Sequence, residues 1–114
     1  MCIRDSKCSI EGKRIFAIVA TLGTTVRGAI DPIDNISKFC NERNIWLHID
    51  GSIGGIFSIT NLPINGIMNV HLANSITINP QKILGITKTS SLLIVSNIET
   101  VSYTHLTLPT ILPV

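Results

Sequence analysis

Residues 15–50 decide the fold, and they read IFAIVATLGTTVRGAIDPIDNISKFCNERNIWLHID. The apolar run 15–20 is rich in β-branched residues and is typical of a strand covered on both faces, and residues 45–50, which Gly51 follows, predict the next strand. Between them, Asp31 and Pro32 predict an N-cap and a first helical position, and apolar residues at helical spacing predict a helix over 32–43. Strand, helix and strand in succession form a βαβ unit, so the two strands should be parallel with a right-handed crossover.

Two further strands extend this sheet. The apolar stretches 75–79 and 91–96 each have the length and the β-branched content of a short strand. The connection between them is too short for a helical crossover, so the fourth strand should be antiparallel to its neighbour. With one turn of helix expected near 67–72, the sequence predicts an α/β fold whose sheet is mostly parallel with one antiparallel strand.

Length and composition restrict the classes of function. The chain has 114 residues, which allow one domain, and its 9 Lys and Arg against 7 Asp and Glu are scattered, so we expect no nucleic-acid partner. The longest nearly apolar stretch, 15–22, is shorter than the roughly 18 to 20 residues of a membrane helix, so we expect no membrane partner. Three cysteines in neither a C-x-x-C pair nor a ligand cluster predict no metal site and a reducing, cytoplasmic location.

The two ends differ in character from the middle. MCIRDS (1–6) and VSYTHLTLPTILPV (101–114) resemble translated remnants of sequencing adaptors, and the second has no sustained strand or helix period. We therefore expect residues 7–100 to be part of one natural domain and both ends to be non-native. The alternative is a genuine tail, which an uninterrupted genomic reading frame through the same residues would establish.

Polar side chains follow three of the predicted strands at the point where each strand ends. Thr24 and Thr25 follow the first, Asp50 closes the second, and Asn79 and Lys82 follow the third. Ligands of open α/β sheets bind beyond the carboxyl ends of the parallel strands. A carboxylate there needs a cationic or hydrogen-bonding partner. Lys82 could be that partner of Asp50, or both could face a shared ligand.

Three ordered motifs carry a resemblance to a known family. They are ATLGTTVRGAIDPI (20–33), IWLHIDGSIGG (45–55) and SITINPQKILG (75–85). In this order and spacing they resemble the pyridoxal-phosphate-dependent group II amino-acid decarboxylases, which include glutamate, aromatic-amino-acid and diaminobutyrate decarboxylases. The resemblance covers roughly residues 14–98. It implies an internal fragment of the large domain of the aspartate-aminotransferase fold, which is fold type I of the enzymes that use pyridoxal phosphate.

The resemblance also implies the cofactor and the residues that hold it. Lys82 matches the lysine that forms the Schiff base, or internal aldimine, with pyridoxal 5'-phosphate, and Asp50 matches the partner of the pyridine nitrogen. Thr25 matches a threonine that contacts the cofactor, and Asn79 a residue near its phosphate. The aldehyde and the ring nitrogen lie on opposite sides of the ring, so amine and acid must come from different strands. The implied parent is a homodimeric carboxy-lyase acting on an amino acid, and the fragment alone should be inactive.

The chain departs from the family pattern at two places. Gln81 stands where a histidine usually precedes the lysine, and Gly51-Ser52 replaces an alanine-rich step. Glutamine can hydrogen-bond but cannot shuttle a proton near pH 7. The Gln81 departure keeps open the alternative that the chain is a cofactor-free pseudoenzyme or scaffold segment. A further alternative is another fold-type-I enzyme with the same cofactor, such as an aldehyde-lyase, because residues outside this chain decide which bond of the substrate breaks.

Other residues with chemical potential have structural interpretations. We expect His48 to be a packed or supporting histidine and Cys40 to lie in the core on the apolar face of the helix. His71 is expected to be structural or exposed. Gly54-Gly55 could mark a turn or could allow backbone to lie beside a cofactor.

Overall fold

The computed structural model describes residues 11–60, 62–64, 67–97 and 99. Both predicted non-native ends, 1–6 and 101–114, lie outside the described residues, so that prediction stays a prediction. The elements, in chain order, are β1 Ala17–Thr21, α1 Ile33–Arg43, β2 Trp46–Gly51, the 3-10 helices η1 Gly54–Ile59 and η2 Ile67–Leu72, β3 Ser75–Ile78, the 3-10 helix η3 Pro80–Lys82, and β4 Leu92–Val95. No helix among the described residues is long and apolar enough to cross a membrane.

The four strands form one sheet in the order β1-β2-β3-β4. β1 and β3 are both parallel to β2, and β4 is antiparallel to β3, which confirms the predicted mixed sheet. The register aligns Thr21, Asp50 and Thr77 in one row across the three parallel strands. The row lies near the carboxyl ends of all three strands, where the sequence predicts the functional residues.

The two faces of the sheet differ in what covers them. Leu47 and Ile49 of β2 are buried in the core, whereas Trp46, His48 and Asp50 are half-buried on the other face. The core contains the apolar side of α1 and residues of η1 and η2, and its members are Ala20, Leu22, Ile33, Phe39, Cys40, Ile45, Leu47, Ile49, Ile56, Ile67, Ala73, Ile76 and Ile78. We call the face that carries Trp46, His48 and Asp50 the open face.

The prediction that the first strand is covered on both faces is wrong for the described residues. Val19, the β1 neighbour of His48 on the open face, is 63% exposed, and Leu93 of β4 is 64% exposed. The reason is that α1, η1 and η2 all contribute to the core on the opposite face. The apolar content of β1 therefore exceeds what the described residues bury.

Helix α1 begins one residue later than predicted, and Asp31 does not cap it. Pro32 takes the N-cap position without a side-chain cap. The Asp31 carboxylate instead accepts a hydrogen bond from Thr21 N at 2.7 Å, and Asp31 N donates to Thr21 O at 3.0 Å. Asp31 therefore joins the two ends of the loop between β1 and α1 through hydrogen bonds to Thr21. At the other end, Asn44 terminates the helix in the left-handed conformation (φ 53°).

The glycines after β2 allow η1 to lie directly on the sheet. Gly54 N donates to Leu22 O at 2.9 Å, and a Cβ added to Gly54 would collide with that same carbonyl oxygen. A Cβ at Gly55 would lie 2.9 Å from Ile78 Cγ1, and one at Gly51 would lie 3.0 Å from Thr77 O. Close packing against the Leu22 carbonyl and the Ile78 side chain therefore accounts for glycine at positions 54 and 55.

Candidate functional site

The topology brings the predicted site residues to one edge of the sheet. Asp50 is the penultimate residue of β2, and Thr25 lies in the loop that follows β1. Asn79 and Lys82 follow β3 directly, with Lys82 at the end of η3. Because β1, β2 and β3 are parallel, their carboxyl ends meet at the same edge. Asp50 and Lys82 therefore come from neighbouring parallel strands, as the sequence predicts.

Asp50 combines partial burial with an incomplete set of hydrogen bonds. Its Oδ1 accepts from Ser52 N at 3.1 Å. Within the described residues the ion pairs are Lys13–Glu11 and Arg43–Glu42, so Asp50 and Lys82 do not pair with each other. The first of the two alternatives that the sequence leaves open, a direct ion pair between Lys82 and Asp50, is therefore not formed in the structure. A half-buried carboxylate at a strand end is well suited to a cationic or protonated group.

Lys82 lies on a hydrogen-bonded turn with its side chain exposed. Pro80 opens η3 and cannot extend the β3 ladder, since it has no N–H. Lys82 N donates to Asn79 O at 3.1 Å, and Leu84 N donates to Pro80 O at 2.9 Å. The backbone at Lys82 is therefore fixed relative to the end of β3. The amine itself is accessible to a ligand at the edge.

Asn79 presents a buried acceptor that the described residues do not satisfy. Its Oδ1 is fully buried and makes no hydrogen bond to them. An unsatisfied buried polar atom costs about 1–3 kcal/mol. The Asn79 oxygen is therefore open to a partner that the described residues do not supply, which could be water, a ligand or further chain. This is consistent with its predicted place beside a bound group.

The loop between β1 and α1 separates the roles of its two threonines. Thr24 Oγ1 accepts from Ala29 N at 2.9 Å, and Thr24 O accepts from Gly28 N at 2.8 Å. Gly28 has φ +62°, a conformation that favours glycine and turns the chain back toward α1. Thr24 therefore builds the loop. Thr25 is exposed at the turn, and its contact with a cofactor stays a prediction.

Sequence reasoning missed a polar network on the open face. His48 Nδ1 lies 2.8 Å from Ser75 Oγ, and His48 Nε2 lies 3.2 Å from Thr77 Oγ1. Trp46 Nε1 donates to Ser75 Oγ at 2.9 Å. His48 is thus a supporting residue, as expected, but its partners are hydroxyls on β3. The signal was the alternation of polar residues in both strands, which shows a shared face only when the register is known.

The remaining candidates have structural roles. Burial raises the pKa of the Cys40 thiol above 9.0, which suits the predicted core position and not a nucleophile. His71 is exposed in the last turn of η2.

Gln81 Oε1 accepts from Ser90 Oγ at 3.3 Å, so the amide connects η3 to the segment before β4. No group of three or more potential metal ligands occurs in the part of the chain that the structure describes.

Comparison with known proteins gives a consistent result. The family described as "Pyridoxal-dependent decarboxylase conserved domain" matches residues 5–111. The acidic amino acid decarboxylase GADL1 of Bos taurus is 40% identical over 81 residues, which are 71% of this chain and 16% of the relative. The L-aspartate decarboxylase dtxS4 of Metarhizium robertsii is 36% identical over 89 residues, or 78% of this chain and 18% of the relative.

A solved structure shows the same fold over most of the chain. It is the glutamate decarboxylase domain of diaminobutyrate-pyruvate transaminase and L-2,4-diaminobutyrate decarboxylase from Vibrio parahaemolyticus. The TM-score is 0.74 at 31% identity, and the alignment covers 89% of this chain and 22% of that structure. The chain therefore spans less than a quarter of each of these three proteins, and its sheet is part of a larger domain.

Proposed function

The chain belongs to the family of pyridoxal-dependent decarboxylases, and on that premise we propose that it is part of an enzyme that removes the carboxylate of an amino acid with pyridoxal phosphate as its cofactor. The observation that carries the proposal is the placement of Asp50 and Lys82 at the carboxyl ends of neighbouring parallel strands without an ion pair between them. Because neither group neutralises the other, both are available to one ligand.

The residues at this edge fit the cofactor. The accessible amine of Lys82 would hold the aldehyde carbon, and the carboxylate of Asp50 would hold the ring nitrogen. Asn79, whose buried Oδ1 lacks a partner among the described residues, and the exposed Thr25 would supply polar contacts at the same edge. When bound, pyridoxal phosphate supplies an aldehyde that reacts with amines and an aromatic ring that accepts the electron pair left by the departing carboxylate.

Each residue then has a task set by its own chemistry. The carboxylate of Asp50 would hold the protonated ring nitrogen of the cofactor. Lys82 Nζ must lose a proton before it can form a covalent bond to the aldehyde. As a free amine it can take up a proton and give it back. Gln81 can only hydrogen-bond, so the amine of Lys82 is the group of η3 able to hold a transferable proton.

The parent protein has properties that extend beyond this chain. We infer a cytoplasmic homodimer, in line with the family resemblance. The segment alone should be inactive, because it spans only 16–18% of its curated relatives and leaves apolar residues such as Val19 and Leu93 exposed. Function must therefore be tested on the full-length enzyme.

Covalent trapping tests the assignment of Lys82. The full-length parent is incubated with pyridoxal phosphate, reduced with borohydride, digested and analysed by mass spectrometry. The modification should fall on the peptide that contains Lys82, and Lys82→Ala should remove it together with the visible absorbance of the bound cofactor. Modification of a different lysine, or an unchanged spectrum in the variant, would refute the assignment.

Two further outcomes identify the alternative functions. If the parent binds the cofactor at Lys82 but releases an aldehyde and no carbon dioxide, the aldehyde-lyase reading is correct. If the folded parent does not bind pyridoxal phosphate at all, the chain is part of a cofactor-free scaffold. Carbon dioxide and an amine in equal amounts support the decarboxylase.

A further inference from the structure

The polar network on the open face consists of Trp46, His48, Ser75 and Thr77, and it lies beside Asp50. His48 and Asp50 are two residues apart on β2 and so point to the same face. In the register, His48 is paired with Ser75 and Asp50 with Thr77. The imidazole contacts both hydroxyls, Ser75 Oγ at 2.8 Å and Thr77 Oγ1 at 3.2 Å. The ring therefore extends along the sheet from its own row to the row of Asp50.

The donors and acceptors of this network fix its direction. The indole N–H of Trp46 can only donate, so Ser75 Oγ accepts at 2.9 Å. Ser75 is 6% exposed, and His48 Nδ1 is the acceptor available to its hydroxyl proton within the described residues. Because buried hydroxyls are nearly always satisfied, Ser75 donates to Nδ1, and the proton of the neutral imidazole lies on Nε2.

The tautomer of His48 also decides which partner donates in its hydrogen bond to Thr77 on β3. With its proton on Nε2, His48 donates to Thr77 Oγ1. The hydroxyl proton of Thr77 is then left for another acceptor. Asp50 is the cross-strand neighbour of Thr77, and paired strands lie about 4.8 Å apart. Its carboxylate has a hydrogen bond from Ser52 N at Oδ1 and capacity for more.

In the structure the hydrogen-bond chain runs from Trp46 through Ser75 and His48 to Thr77 Oγ1, while the Asp50 carboxylate accepts from Ser52 N. We propose that in the cofactor-bound enzyme the Thr77 hydroxyl, whose proton His48 leaves free, donates to the Asp50 carboxylate and orients it toward the cofactor nitrogen. His48 and Thr77 are positioning residues, since they act through Asp50 and do not touch the cofactor. The inference rests on the proposed function, in which Asp50 holds the ring nitrogen. It adds a second hydrogen-bond donor for Asp50, the Thr77 hydroxyl, on the same face of the sheet.

Cofactor affinity of the full-length enzyme tests the last link of the chain. Thr77→Val removes the hydroxyl and should weaken pyridoxal phosphate binding about tenfold, equivalent to about 1.4 kcal/mol. Thr77→Ser keeps the hydroxyl and should bind within about twofold of the wild type. The control is Thr60→Val, because Thr60 Oγ1 donates to Phe57 O at 2.7 Å and is also half-buried, but lies after η1. The control should lose stability without losing affinity.

Two substitutions of His48 separate positioning from packing. A glutamine amide reaches the place of Nε2 and can still donate to Thr77, whereas an asparagine amide reaches the place of Nδ1 and cannot. His48→Gln should retain affinity within about threefold, and His48→Asn should lose about tenfold. Equal losses in the two variants would show that the histidine only fills space, and would overturn the proposal.

The tautomer provides a readout that does not depend on the cofactor. In the cofactor-free parent labelled with ¹⁵N-histidine, the signals absent from His48→Gln identify His48, and they should show a protonated Nε2 and an unprotonated Nδ1. A proton on Nδ1 would overturn the direction of the chain even if the enzyme binds pyridoxal phosphate normally. Conversely, a wild type that shows the expected tautomer but binds no cofactor would refute the proposed function without contradicting the direction of the hydrogen bonds. If wild type binds and Thr77→Val binds equally well, the inference alone fails.

Discussion

Gly54→Ala should destabilise the enzyme by more than any other single methyl group added at this edge. The backbone of Gly54 contacts Leu22, donating from its N–H to Leu22 O at 2.9 Å, and the new Cβ would collide with that carbonyl. Since the obstacle is backbone, it cannot rotate away. Overpacking costs about 1–3 kcal/mol, and displacement of the hydrogen bond adds about 0.5–1.5 kcal/mol. We expect a total loss of about 2–4 kcal/mol in the free energy of unfolding.

Gly55→Ala is the matched control for this prediction. Its Cβ would lie 2.9 Å from Ile78 Cγ1, which belongs to a side chain that can shift, so the loss should be smaller, about 1–2 kcal/mol. The assay is urea unfolding of the cofactor-free full-length enzyme at one fixed protein concentration, followed by tryptophan fluorescence and circular dichroism. A Gly54→Ala variant as stable as the wild type, or less affected than Gly55→Ala, would refute the argument that η1 lies directly on the end of β1.

Three further predictions concern the site and the core. Asp50→Asn should weaken cofactor binding by about 10- to 100-fold, since a hydrogen bond to a charged group contributes about 1.5–3 kcal/mol; equal affinity in a titration would contradict the role of Asp50. Trp46→Phe should lower the free energy of unfolding by about 0.5–1.5 kcal/mol by removing the donor to Ser75 Oγ, whereas Trp46→Phe in a Ser75→Ala background should cost less. Burial raises the pKa of the Cys40 thiol above 9.0 in the folded protein, so this thiol ionises at a lower pH in the unfolded chain. The stability that depends on the neutral thiol is therefore present below pH 9.0 and falls as the pH rises beyond it. Unfolding measured from pH 7 to 10 should show a fall that Cys40→Ala reduces, and an identical fall in both proteins would contradict the assignment.

Local patterns were sufficient to predict the βαβ unit and the direction of all four strands. The apolar runs of β1 and β2, the helical spacing of α1 and the short connection before β4 each depend on residues close together in sequence. The resulting parallel order also placed Asp50 and Lys82 at one edge, because the carboxyl ends of parallel strands coincide. Strand and helix boundaries differ from the predicted ones by one or two residues, as expected at frayed ends.

The predictions that failed involve partners distant in sequence. Asp31 is a residue type that often caps helices, but its carboxylate accepts a hydrogen bond from Thr21 N instead, and this tertiary contact prevails over the local cap. The hydrogen bonds of His48 join residues 27 and 29 positions apart, so they depend on the register of β2 and β3. The exposure of Val19 and Leu93 on the open face has a different cause, since α1, η1 and η2 all contribute to the core on the opposite face.

A crystal structure of the full-length enzyme with pyridoxal phosphate tests the central claim most directly. We expect Lys82 Nζ bonded to the aldehyde carbon and the Asp50 carboxylate hydrogen-bonded to the ring nitrogen of the same cofactor molecule. A cofactor bound at this edge through a different lysine, or with its ring nitrogen away from Asp50, would contradict it.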